Sequence, residues 1–232
     1  PRLVEVAKRV VGFPALAYEH RDLIVTSVKR ELQSRFHGTI LGWGWPLVYP
    51  VFMFLVYYFI FTQLLQMKFP ELPEDQKAAM GVYMFVGVLI WASFAESLSR
   101  GCNVIVENGN LIKKLAFPSE VLPLNVVLVN LVTMMFGVVV FVAVCWVTDL
   151  LGIGIWPPPA ASLLWIPLLL LLQLLFTYGV TLLVATLQVF LRDTMQVVGI
   201  LVTVWMFLTP VFWAPEIMTG FEDKIDDIRM NP

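Results

Sequence analysis

The 232-residue chain is 59% hydrophobic and only 14% charged, with a mean hydropathy of +0.83. Soluble domains run near half apolar and about a quarter charged, so this composition excludes an ordinary soluble domain. The net charge of −2 says little, because the positions of the charges matter more than their sum. Asp, Glu, Lys and Arg are missing from five blocks, 36–67, 78–95, 121–148, 150–191 and 194–215. An uncharged apolar stretch of about eighteen residues or more is a transmembrane-helix candidate. A β-barrel needs short alternating segments, and these runs do not alternate. The fold class is therefore an all-α polytopic membrane protein, with an N-terminal amphipathic interface helix and five transmembrane helices.

Residues 1–14 read as a poorly constrained tail. In 16–36, Ile24, Val28, Leu32 and Phe36 recur at i+4 and share a helix face, while Arg21, Lys29, Arg30 and Arg35 lie largely off it. A basic amphipathic helix beside a membrane span is expected in the interface plane. Residues 1–36 thus form a tail plus interface helix, and 37–232 the transmembrane domain. The first span, about 39–64, is crowded with aromatics, and Pro46 and Pro50 sit in its first half. Residues 65–78 form a polar loop and the second span covers about 79–99. The stretch "VENGNLIKKLAFPSEVLPLN" follows, and the third span covers about 121–148. Three consecutive prolines, Pro157 to Pro159, separate it from the fourth span, about 161–191. "RDT" at 192–194 is a very short connection to the fifth span, about 195–213. Residues 214–229 form an amphipathic outer segment.

With the N-terminus in the cytoplasm, the inner segments hold eleven Lys and Arg residues and the outer segments four. That bias sets the orientation, places 106–125 inside, and leaves residue 232 outside.

The chemistry of an enzyme is missing. His20 and His37 have no acidic or cysteine neighbour at metal spacing, and Cys102 and Cys145 lie in different blocks. There is no GxSxG and no P-loop sequence. Glu96 and Arg100, one turn apart, are the ionisable pair at the inner end of the second span and a candidate gating pair. Aromatic surface is abundant instead. Sugar rings stack their C–H faces on aromatic side chains, so Trp45, Tyr49, Phe52 and Phe59, with Phe85 and Trp91 of the second span, are candidate linings of a glycan pathway. Interfacial belts and lipid-facing packing are the bland alternative for each of them. Between the spans, "NGN" can break a helix and "LIKKLAF" can form one short amphipathic helix. Pro118 and Pro123 fix the approach to the third span.

The run "KRELQSRFHGTILGWGWPLVYP" at 29–50 resembles the first-span region of ABC type-2 permeases that export polysaccharides or polyol phosphates. "NGNLIKKLAFPSEVLPL" at 108–124, "LRDTMQVV" at 191–198, "TPVFWAPE" at 209–216 and "MNP" at 230–232 are similar to successive connections of that family, in order and at consistent spacing. The resemblance covers about 20–232 and is greatest to transmembrane subunits of O-antigen and teichoic acid exporters. It implies a half-transporter in the cytoplasmic (inner) membrane, in which two copies of the chain pair and each sits on a separate ATPase subunit. It implies no cofactor in this chain, with ATP and Mg held by the ATPase, and no nucleic acid. The substrate implied is a lipid-linked, O-antigen-like polysaccharide. Teichoic acid, or another polyol phosphate, is the alternative, disfavoured by spans without Lys or Arg. An integral membrane enzyme acting on lipid-linked sugars is the alternative from another class. The family has six spans, of which this chain holds five. It further implies that 108–117 is a coupling helix, with the interface helix packed beside it. The ATPase contact residues it implies are Arg30, Glu31, Arg35, Asn108, Leu111, Lys113, Lys114, Arg192 and Asp193, and 214–229 helps close the outer mouth.

Overall fold

The computed structural model describes residues 20–64, 78–115, 119–152 and 164–211. The tail 1–19, the loop at 65–77, the proline turn and the outer segment 214–229 lie outside the described residues, as do 116–117 of the coupling segment. Among the described residues the regular structure is entirely helical. Helix α1 is Arg21–Phe36 and α2 is Trp45–Tyr58, the latter prefaced by a tight turn at Gly42–Gly44 and continued by wide π-helical turns over Phe59–Leu64. Helix α3 is Ala78–Glu107, α4 Gly109–Leu115, α5 Val121–Leu150, α6 Ile166–Phe190 and α7 Thr194–Leu208. By length and composition, α5 and α6 can each cross a membrane. Thirty residues of α5 extend about 45 Å, more than a hydrocarbon core of about 30 Å.

Local sequence explains where these helices stop. Pro123 falls in the first turn of α5, where no N–H donor is needed, and Pro167 does the same for α6. Helix α7 ends at Leu208, short of the expected 213, because Thr209 precedes Pro210 and is held extended at φ −88°, ψ 143°. Helix α3 runs past the expected 99 to Glu107, since Ser99, Arg100 and Asn103 continue the helix after the apolar signal has faded. The break predicted at "NGN" is there: Asn108 separates α3 from α4. Gly38 at φ +78° and Gly42 at φ +49° turn the chain between α1 and α2 in a conformation that favours glycine.

Helix α3 is the central element, with α2, α5, α6 and α7 packed against it. Phe54, Phe85, Phe141 and Cys145 join α2, α3 and α5 in one cluster, the three rings 5.0–5.5 Å apart. Phe94, Leu98, Cys102 and Val198 join α3 to α7, with Val180 and Val184 of α6 against them. Inside lipid, helices gain little from apolar transfer and depend on close contact at small residues. Gly137 on Leu89 and Gly101 on Thr181 are such contacts.

Helix α1 is laid along the first turns of α5. Ile24 is buried against Val121 and Leu124, with Val28, Leu128 and Tyr178 around them. The Tyr178 hydroxyl donates to the Glu120 carbonyl at 3.2 Å, tying α6 to the same corner. Part of the apolar face expected to meet the membrane surface is thus taken up by the chain's own helix.

Candidate functional site

At the end of the bundle that carries α1 and α4, several expected residues converge. Arg35 Nη2 donates to Asn130 Oδ1 at 2.8 Å, Asn130 Nδ2 donates to Ser97 Oγ at 3.1 Å, and Ser97 Oγ donates to the Ser93 carbonyl at 2.7 Å. Asn130 and Ser97 are 3% and 1% exposed, so α1 is anchored into the α3–α5 interior by a polar chain. Burial, reinforced by neighbouring Arg100, disfavours charge on Arg35 and lowers its pKa, while Glu31 and Glu96 act the other way. Among the described residues, the Nε of Arg35 is buried without an acceptor.

Arg100 pairs with Glu96 one turn back on α3 and with Glu31 of α1 at 3.7 Å. The expected gating pair is therefore a triad bridging two helices. All three side chains are about half exposed, so solvent screens them and the pairs add at most about 1 kcal/mol each.

Between α1, the C-terminal end of α3 and the N-terminal end of α5 lies a cavity of about 950 Å³. Arg30, Glu31, Arg35 and Asn108, expected from sequence as ATPase contacts, line it together with Arg100 and Asn125. Asp22 and Glu107 also reach it, so three arginines face three acids around a net-neutral rim. Asn108, the first residue of the expected coupling segment, thus shares this cavity with the interface helix α1. Leu111, Lys113 and Lys114 lie on α4, and Lys113 is exposed. Arg192 and Asp193 form the exposed turn between α6 and α7, next to Met195 on the cavity wall.

The candidate lining residues divide. Trp45, Tyr49, Phe52 and Phe59 are all exposed, at 40%, 55%, 59% and 58%, and the helical spacing puts the first three on one face of α2. Phe85 is 2% exposed in the core with Phe54 and Phe141, so its ring is not on any surface of this chain. Trp91 is half-buried, its ring 5.3 Å from Phe94 and 6.0 Å from Trp205. Phe85 is thus a packing group within the chain, while Trp91 is only partly covered by its neighbours.

Residues 22–225 match the family described as ABC-2 type transporter. The chain belongs to that family. It is 32% identical to the O-antigen export system permease protein RfbA of Myxococcus xanthus over 196 residues, which is 84% of this chain and 70% of that protein. It is 27% and 26% identical to two proteins of the same name from Klebsiella pneumoniae, covering 85% of this chain and 71% of each of them.

In this ABC-2 chain, several of the best-connected polar residues escaped sequence reasoning. Ser97, Asn130, Asn103 and Gln188 carry no formal charge; Asn130 and Gln188 sit inside apolar runs, while Ser97 and Asn103 lie among the charges that follow the second such run. A signal was available. An amide or hydroxyl inside a membrane helix needs a partner, so isolated Asn and Gln in such runs mark helix contacts.

Proposed function

We propose that this chain is the transmembrane permease subunit of an ATP-driven exporter that moves a lipid-linked, O-antigen-like polysaccharide across the cytoplasmic membrane. In this reading α2, α3, α5, α6 and α7 are spans, α1 is the interface helix, and the α4 end faces the cytoplasm. Two copies form the pathway, and two copies of a separate ATPase bind ATP and Mg and drive the cycle. Family membership supports the class, and the names of the relatives support the cargo. The observation that carries the mechanism is the break at Asn108, which sets α4 off as a separate short helix beside the cavity lined by Arg30, Glu31, Arg35 and Arg100. A separate ATPase needs such a stiff contact to push on two spans at once. The exposed aromatic face of α2 supports a glycan-contacting wall, since stacking holds neutral sugars without fixed charge.

The test is reconstitution in liposomes of the full-length permease with its candidate ATPase, comparing wild type with Lys113→Glu/Lys114→Glu. The expected result is a stable wild-type complex that hydrolyses ATP and a double variant that separates or hydrolyses without export. A chain that associates with no ATPase, and a double change without effect, would overturn the reading.

A further inference from the structure

Gln188 stands in the last turn of α6, and its amide is saturated. Nε2 donates to Asn103 Oδ1 of α3 at 3.0 Å and to the Arg192 carbonyl at 3.2 Å. Oε1 accepts from the Met195 backbone N–H at 3.1 Å, and the Cys102 thiol approaches it at 3.7 Å. Asn103 Nδ2 in turn meets the Met195 sulfur at 2.9 Å. One side chain therefore ties three helices at a single level: α3 four residues before it ends, the last turn of α6, and the first turn of α7. The packing around it is equally close. Gly101 fits against Thr181, and Ala185 and Cys102 are fully buried nearby.

Two projections leave this knot. One is α4, separated from α3 by Asn108 alone. The other is the turn at 191–193, whose Thr194 hydroxyl and backbone N–H both bond the Leu191 carbonyl. Asn108 is further held by its side-chain amide on the Val104 carbonyl at 2.8 Å. Helix α1 is outside the knot and is held to α5 and, through Arg100, to the face of α3.

We infer that Gln188 is a positioning residue that joins the α4 helix and the 191–193 turn into one rigid body, so that a push on either moves α3, α6 and α7 together. The amide is only partly buried, so its hold comes from the number of partners it joins across three helices, and removing it unties all of them at once. The consequence is that the interface helix and the knot are separable levers. This inference rests on the coupling role proposed above, but its structural content can be measured without the ATPase.

The experiment uses the full-length permease in nanodiscs, with and without its ATPase, spin-labelled at cysteines introduced at Asn110 and Leu191. Both positions are exposed, and native Cys102 and Cys145 are buried and spared. Pulsed electron paramagnetic resonance gives the distance between the two projections. In wild type a single narrow distance is expected, unchanged when nucleotide is added and trapped. In Gln188→Leu the distribution is expected to broaden at least two-fold, and the export achieved per ATP hydrolysed to drop about ten-fold while the ATPase remains bound. Asn103→Ala attacks the same link from α3 and serves if Gln188→Leu does not fold. Gln188→Glu keeps the acceptor to Met195 and loses both donors, so it should fall between wild type and leucine. An unchanged narrow distance in Gln188→Leu and Asn103→Ala, or a wild-type distance that shifts on nucleotide binding, overturns the inference. Failure of any ATPase to bind wild type instead defeats the coupling reading and leaves the distance result to decide on the knot alone.

Discussion

Gly101 of α3 lies so close to Thr181 of α6 that a Cβ at position 101 would fall well inside contact with the threonine methyl, and 3.5 Å from its Cβ. The two helices meet there without a side chain on one partner, which sets the spacing between α3 and α6 at that end. Gly101→Ala is expected to force the helices apart and lower stability by about 1–3 kcal/mol, as overpacking does. Thr181→Ser in the same chain removes the clashing methyl and should recover most of the loss. Thermal unfolding of the purified single and double variants checks both statements.

Asn130 is the middle member of the chain from Arg35 to Ser97. Asn130→Leu leaves the Arg35 guanidinium without its acceptor and Ser97 without its donor, a loss of about 1–3 kcal/mol. The expected signature is local. Amide exchange should accelerate over 21–36 while α3 and α5 stay protected. Unchanged protection of α1 would show that the Ile24 cluster suffices to hold it.

Phe54 and Phe52 separate packing from contact with cargo. Phe54 is 3% exposed among aromatic rings, and Phe54→Ala should cost on the order of 3 kcal/mol. Phe52→Ala and Tyr49→Ala, on the exposed face, should change stability by no more than about 0.5 kcal/mol. Under the proposed function the exposed pair should nonetheless reduce export of long chains several-fold. Unaltered export by the double variant would remove α2 from the pathway.

Arg100 gives the opposite kind of test. Its partners Glu31 and Glu96 are half exposed, so Arg100→Gln should shift stability by less than about 1 kcal/mol. If the triad links the interface helix to α3 during the cycle, export should fall while the chain still assembles. Glu31→Arg combined with Arg100→Glu, which keeps opposite charges across α1 and α3, should recover more export than either single reversal.

Much of this architecture is visible in the uncharged blocks, because a membrane helix announces itself by the absence of charge. The break at Asn108 was legible from "NGN", and the α5 start from Pro123. The ends were less so. Arg100 and Glu107 are good helix residues, so α3 continues where the apolar pattern stops, and Pro210 halts α7 within an apolar run. The candidate site was half legible. The resemblance pointed to Arg30, Glu31 and Arg35 and the ionisable pair to Arg100, and these four meet around one cavity. Asn103, Asn130 and Gln188 did not stand out, because their roles depend on which helix lies opposite and no spacing along one strand of sequence encodes that. For the same reason Phe85 and Trp91 looked like Tyr49 and Phe52: aromatic spacing gives a face, and only the neighbouring helices decide whether it is covered.

Helix α2 carries Pro50 within it and widens into π turns over Phe59–Leu64. Proline supplies no N–H, so the carbonyl one turn earlier loses its axial bond, and wide turns loosen the far end as well. A helix interrupted at both places bends at lower cost than its straight neighbours. The face bearing Trp45, Tyr49 and Phe52 is therefore compliant, in contrast to the rigid α3–α6–α7 unit inferred above. Under the proposed function, a polymer of uneven width threading past such a wall would meet a surface that yields to each residue in turn, while the stroke behind it would be delivered without give.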